Sequence, residues 1–185
     1  MAKSAEYPHR RSIRLEGYDY SQPGAYFITI VTFHRSCLFG AISDDKVVLN
    51  PIGRLVEFEW QRLEQRFKHV ELGAWIVMPN HIHGIVNIIE NEVDWVKRIP
   101  NANEQSEQSL EQFASPVAGS IATIIRSFKS SVTQQYQNLY KDYSTKLWQR
   151  YYYDHIIRSE TDLKNIYDYI VDNPRKWMED ENFSP

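Results

Sequence analysis

The run Val77-Met78-Pro79-Asn80-His81-Ile82-His83-Gly84-Ile85-Val86 constrains the fold more than any other part of the chain. From Trp75 to Ile89 the residues are rich in Ile, Val and Trp, which favours an extended strand. Side chains alternate faces along a strand, so His81 and His83 point one way while Ile82, Val86 and Ile88 point the other. The segment therefore asks for a sheet with one face in a core and two adjacent imidazoles on the opposite face. The chain has six histidines, and only these two flank a single residue. Neutral imidazole is the commonest metal ligand, and two on one face supply half a metal site.

The rest of the chain supplies the partners of that strand. Residues 1–24 are polar and carry Arg10, Arg11 and Arg14, candidates for phosphate contacts on a mobile arm. Tyr26 to Phe33, within a segment from Ala25 to His34, is aromatic and β-branched and predicts a strand. Lys46 to Leu49 adds a short one. Asn50-Pro51 then reads as an N-cap and first helical residue, opening a helix to about Lys68 with Ile52, Leu55, Val56, Leu63 and Phe67 along one stripe. Val70 to Met78 forms the next strand and feeds into the histidine segment.

Residues 91–115 are dominated in their second half by Asn, Gln, Glu and Ser without apolar periodicity, as expected of a polar insertion within one domain. Ser115-Pro116 is the expected start of a helix running to about Tyr140, with Val117, Ile121, Ile124, Ile125, Phe128, Val132 and Tyr136 at helical spacing. Arg126 and Lys129 lie off that stripe and are further candidates for phosphate contacts. The stretch Leu147 to Arg158 is aromatic and partly extended, with Arg150 and Arg158 at its flanks. Ser159 caps a last helix whose buried edge is Leu163, Ile166 and Ile170, and Asn173-Pro174 ends it by forcing the pre-proline residue out of helical geometry.

The net charge of −3 argues against coating duplex nucleic acid by bulk electrostatics and requires any DNA groove to be local. The single cysteine, Cys37, excludes an internal disulfide or Cys-based zinc site. No apolar signal region or membrane-length apolar run is present, which predicts a cytoplasmic protein.

On the last helix Tyr169 and Asn173 are four residues apart and share a face. Set against His81 and His83, they would place a phenol and an amide oxygen beside two imidazoles, a set suited to a divalent cation next to a nucleophile. Tyr151, Tyr152, Tyr153 and Tyr167 compete with Tyr169 for the nucleophile's role, and His155 competes with Asn173 as third ligand.

Pro79-Asn80-His81-Ile82-His83-Gly84, Trp148-Gln149-Arg150, Asp154-His155-Ile156-Ile157-Arg158 and Tyr169-Ile170-Val171-Asp172-Asn173-Pro174, in this order, resemble the REP-associated tyrosine transposases, a branch of the single-tyrosine HUH transposases of the IS200-like type. The resemblance runs from about Tyr26 to Pro174. It implies an α+β fold, a ferredoxin-like antiparallel sheet with helices packed on one face, the HUH motif on a strand and the nucleophilic tyrosine on a C-terminal helix. It also implies Mg²⁺- or Mn²⁺-dependent nicking and strand transfer on single-stranded DNA near hairpins, through a 5′-phosphotyrosine link, by a monomer or a homodimer. His81 and His83 match the HUH histidines and Tyr169 the nucleophile. Asn173 stands where many relatives carry glutamine. Two other functions compete with this one: a domesticated hairpin-binding protein that does not cut, and a metal-dependent hydrolase using the His pair with a carboxylate. A carboxylate beside the pair with Tyr169 far away would favour the hydrolase.

Overall fold

The computed structural model describes residues 18–90 and 117–183. Its main sheet has four strands, β1 (Gly24–Val31), β4 (Val70–Val77), β5 (His81–Ile88) and β6 (Tyr153–Ile157), in the order β4-β5-β1-β6 with antiparallel neighbours. A small hairpin, β2 (Gly40–Ser43) and β3 (Lys46–Leu49), stands apart. The helices are α1 (Pro51–Gln61), α2 (Leu63–Arg66), α3 (Ile121–Tyr140) and α4 (Glu160–Asp172). Leaving the hairpin and the one-turn α2 aside, the order up to β6 is β-α-β-β-α-β, the ferredoxin-like arrangement. Among the described residues no helix is long and apolar enough to cross a membrane.

The core lies on one face. Tyr26, Ile28 and Ile30 of β1 and Ile82, Val86 and Ile88 of β5 meet Val56 and Trp60 of α1 and Ile121, Ile124, Ile125, Phe128 and Val132 of α3. α1 and α3 thus fulfil the expectation of helices on one face. α4 lies on the other, where Ile170 packs on Phe27 and Ile85. Gly84 follows the histidines because of the core: a Cβ there would come within 2.4 Å of Trp60 Cζ2.

Local signals explain most element ends. Asn50 Oδ1 accepts hydrogen bonds from the Ile52 and Gly53 amides, both at 2.9 Å, with Pro51 next to it. The helix expected to reach Lys68 breaks at Arg62 (φ −74, ψ −5) and resumes as α2. The run from Trp75 to Ile89 is not one strand. It turns back at Met78–His81, with the Met78 amide donating to the His81 carbonyl at 2.8 Å, so the histidines open β5. α3 starts later than expected, with Ser120 as its N-cap; Ser115 and Pro116 lie outside the described residues. Asn173 keeps helical dihedrals (φ −56, ψ −42) despite preceding Pro174, so α4 ends where proline withholds an N–H rather than at a forced dihedral.

The expected arm and insertion fall largely outside the described residues, as do Arg10, Arg11 and Arg14. The last part of the arm is not free. Tyr20 is buried against Tyr18 and Tyr26, and its carbonyl accepts from the Ile121 amide at 3.1 Å.

Candidate active site

His81 and His83 lie at the first and third positions of β5, both buried, with ring centroids 4.3 Å apart. Each is held through Nδ1, leaving Nε2 to face the site. His81 Nδ1 is 2.8 Å from Asn80 Oδ1. The Asn80 amide nitrogen donates to the Arg35 and Asn182 carbonyls, at 2.9 and 2.8 Å, which fixes its oxygen toward the ring. His81 therefore carries its proton on Nδ1 and a lone pair on Nε2, and that Nε2 is buried without a hydrogen-bond partner. His83 Nδ1 is 2.8 Å from the Thr29 hydroxyl, directly across the β1–β5 ladder. Thr29 interrupts the apolar alternation of β1 because its face is polar at that point.

α4 brings the phenol. The Tyr169 hydroxyl lies 3.2 Å from His83 Nε2, and Phe27 stacks under His83 with its centroid 5.4 Å away. One turn on, Asn173 is buried, and its Oδ1 has no hydrogen-bond partner.

The segment after α4 completes the cluster. Trp177 sits 5.9 Å from His81 and 5.3 Å from Phe183, centroid to centroid, and folds the chain back over the histidines. This puts Asp180 into the site with its side chain 1% exposed. Its Oδ2 accepts from the Tyr169 hydroxyl at 3.1 Å and from Asn173 Nδ2 at 2.9 Å, and lies 3.8 Å from His83 Nε2. Its Oδ1 accepts from the Asn182 amide at 2.6 Å. Ligand atoms of His81, His83 and Asp180 all lie within 4.8 Å of one another.

Burial and charge set the protonation states. Burial, reinforced by the charge of neighbouring His83, holds His81 neutral far below the ordinary imidazole range, and burial lowers His83 against the pull of Asp180. Burial pushes the Asp180 carboxyl up, but His83, Asn173 and the Asn182 amide outweigh it and leave it well below the usual range. Burial, then the Asp180 charge, raises the Tyr169 phenol. Two neutral imidazoles and an ionised carboxylate are the protonation states that a divalent cation requires. The unpartnered His81 Nε2 and Asn173 Oδ1 add two buried lone-pair donors, so these residues fit such an ion.

No family model matches the chain. An uncharacterized protein of Haemophilus influenzae is 38% identical over 176 residues, spanning 94% of this chain and 92% of that protein. A second protein of that organism, named "Putative REP-associated tyrosine transposase", is 27% identical over 160 residues, 85% of this chain and 74% of its own length. The solved structure of a REP-associated tyrosine transposase bound to a REP hairpin shares the fold, with a TM-score of 0.51, 19% identity, and coverage of 96% of this chain and 74% of that one. The chain is thus similar in sequence to one protein named as a REP-associated tyrosine transposase and in fold to another.

Of the site residues expected from the sequence, the fold brings together His81, His83, Tyr169 and Asn173. His155 is directed elsewhere, with Nε2 2.9 Å from Asp162 Oδ2. Lys129 is half-buried, and its ammonium donates to the Gln149 and Tyr151 carbonyls at 3.0 and 3.3 Å, so it ties α3 to the segment before β6. Arg126, Arg150 and Arg158 are exposed, and Arg150 lies over the Tyr151 ring at 5.4 Å. Asp180 and Thr29 were absent from the expected set. The trace of Asp180 in the sequence is Trp177 and Phe183, two aromatic anchors in an otherwise polar tail.

Proposed function

We propose that this protein nicks and rejoins single-stranded DNA beside a hairpin, as a transposase, with Tyr169 as nucleophile. The observation that carries the reading is the 3.2 Å approach of the Tyr169 hydroxyl to His83 Nε2, on the rim of a cluster suited to a divalent cation. That approach also tells against the hydrolase reading, which needed Tyr169 far from the pair. His81, His83 and Asp180, with Asn173 as a fourth candidate, would hold Mg²⁺ or Mn²⁺. Such a cation, when bound, polarises the scissile phosphate and neutralises its charge.

The chain's own residues do the rest. Thr29 and Asn80 fix the two imidazoles. Asp180 accepts the Tyr169 proton, and the phenolate oxygen attacks phosphorus. The bond from phosphorus to the 3′ oxygen breaks, a 5′-phosphotyrosine ester forms, and the departing oxygen takes up a proton to leave as a 3′-hydroxyl. Attack by a 3′-hydroxyl on the phosphotyrosine reverses the step and restores Tyr169. Arg126, Arg150 and Arg158, with Arg10, Arg11 and Arg14, are proposed phosphate contacts, so affinity falls steeply with salt although the protein is acidic.

The test is incubation of the protein with end-labelled single-stranded DNA carrying the hairpins that flank its gene, with Mg²⁺ or Mn²⁺, followed by a denaturing protein gel. A labelled covalent adduct is expected from the wild type and absent from Tyr169→Phe and His81→Ala. An adduct surviving Tyr169→Phe would move the nucleophile to another tyrosine. Hairpin binding without any adduct would make the protein a non-cutting binder.

A further inference from the structure

Among the described residues β6 is an edge strand, paired in the sheet with β1 alone. Its face alternation puts Asp154 and Ile156 toward the core side and Tyr153 on the side of the histidines. Register aligns Tyr153 with Thr29 of β1, and Thr29 with His83 of β5, so one row across three strands reads Tyr153, Thr29, His83. Two strand spacings separate its ends, about 10 Å. α4 covers the adjacent row, where Ile170 sits on Phe27 and Ile85, and leaves the outer end of the Tyr153 row open.

Tyr153 is 42% exposed, a large aromatic beside a buried catalytic cluster. The Phe27 ring braces it edge-on at 6.2 Å, and the same Phe27 ring meets Tyr169 edge-on at 6.0 Å. Nucleophile and exposed tyrosine are thus referenced to one rigid ring. The segment leading into β6 adds Tyr151, with the Arg150 guanidinium over its ring, a cation and a second exposed aromatic on the approach to Tyr153. Single strands are held by aromatic faces on which bases stack and by cations that follow the backbone.

We infer that Tyr153 is a stacking platform for a nucleobase next to the scissile phosphate, positioning that phosphate for Tyr169. This deepens the transposase reading and rests on it. The occupant is an unpaired base of the single-stranded DNA substrate, and stacking on a ring tolerates any base identity.

The test uses the full-length protein, a chelator to prevent cleavage, and fluorescent oligonucleotides. These carry the hairpin flanking the gene, with or without a single-stranded extension through the cleavage position. An abasic residue is walked across the extension. For the wild type, one abasic position next to the cleaved bond is expected to weaken binding about tenfold. Tyr153→Leu is expected to lose the same factor on the intact strand and nothing further on that abasic strand, while Tyr153→Phe matches the wild type. Non-additivity of this kind is not produced by a merely structural role. In the wild type, 2-aminopurine at the same position is expected to be quenched on binding, a readout that holds even if Tyr153→Leu does not fold. Additive losses, or no abasic-sensitive position, would overturn the inference while leaving the transposase reading intact. Failure of the wild type to bind the extended hairpin at all would overturn both.

Discussion

The Tyr169 hydroxyl donates to Asp180 Oδ2 at 3.1 Å, joining α4 to a carboxylate delivered by the tail that follows it. The contact couples two opposed effects. The ionised carboxylate is placed to accept the phenol's hydrogen bond, yet its charge adds to burial in raising the phenol's pKa. In the resting protein Tyr169 is therefore held as the neutral phenol, and a divalent cation beside Asp180 would offset the charge that holds it so.

Asp180→Asn separates these effects. The amide keeps an acceptor oxygen but removes the charge, so the Tyr169 phenol should titrate closer to its ordinary value in the metal-free variant. Adduct formation should nevertheless slow by about 10²–10⁴, the range for loss of a positioned proton acceptor. Ultraviolet titration of the phenol and single-turnover adduct assays check the two halves. An unchanged rate would remove Asp180 from proton transfer and from the ligand set together.

Thr29→Val preserves shape and removes the hydroxyl that meets His83 Nδ1 at 2.8 Å. The ring nitrogen is then buried without its partner, at a cost of about 1–3 kcal/mol in urea denaturation. With His83 as a proposed metal ligand, loss of the residue that orients it should weaken Mn²⁺ binding by about 10–100-fold, measured by electron paramagnetic resonance of the free ion.

Much of this was legible because it is periodic. The face shared by His81 and His83 follows from strand alternation, the stripe Ile121 to Val132 from helical spacing, and the caps Asn50 and Ser159 from side-chain chemistry. The proximity of Tyr169 to His83 came from the family resemblance, since no local pattern states which helix face meets which strand. What stayed hidden depends on tertiary contact. Asp180 reaches the site because Trp177 packs beside His81, a long-range contact in a stretch without periodicity. α4 occupies the histidine face because Phe27 and Ile85 form a small apolar patch there, which alternation on β1 and β5 discloses only once their register is known. Trp60 was missed for a similar reason: its place is made by the missing side chain of Gly84 on β5, three elements further along the chain.

Glu59 of α1 is fully buried and binds α1 to α3. It accepts from Arg66 at 2.7 Å and Arg62 at 3.2 Å, and from Ser131 and Gln135 of α3. Burial pushes its carboxyl up, but Ser131, Arg66 and Gln135 outweigh that and hold it below the ordinary value. A group whose pKa is depressed by folding contributes stability above its unfolded pKa and loses it as pH falls through the folded one. Glu59→Gln should therefore destabilise by about 1–3 kcal/mol at pH 7. The gap to the wild type should narrow below about pH 4.3, where the unfolded carboxyl takes up its proton. Urea denaturation at pH 7 and in steps below pH 4.5 checks it, and a gap constant with pH would show that Glu59 acts by shape alone.

Lys129 gives a dependence of the same sign in a higher pH window, with the neutral rather than the charged form favoured by folding. Burial lowers its ammonium from the ordinary lysine value to about 8, while its two backbone acceptors, the Gln149 and Tyr151 carbonyls, remain satisfied by a neutral amine. Below pH 8 both folded and unfolded states carry the proton, and the charge is buried at a cost. Between pH 8 and the unfolded value of about 10.4 the unfolded chain binds more protons than the folded one, so stability rises with pH. Lys129→Met abolishes this titration. The wild type should gain stability relative to the variant from pH 7 to pH 9.5. A Lys129 that instead faced DNA phosphates in solution would keep an ordinary pKa, leave that difference flat, and lower the salt slope of hairpin binding by about one when replaced. Denaturation at the two pH values and a salt titration of binding distinguish a lysine that ties α3 to the β6 segment from one that holds the backbone of the substrate.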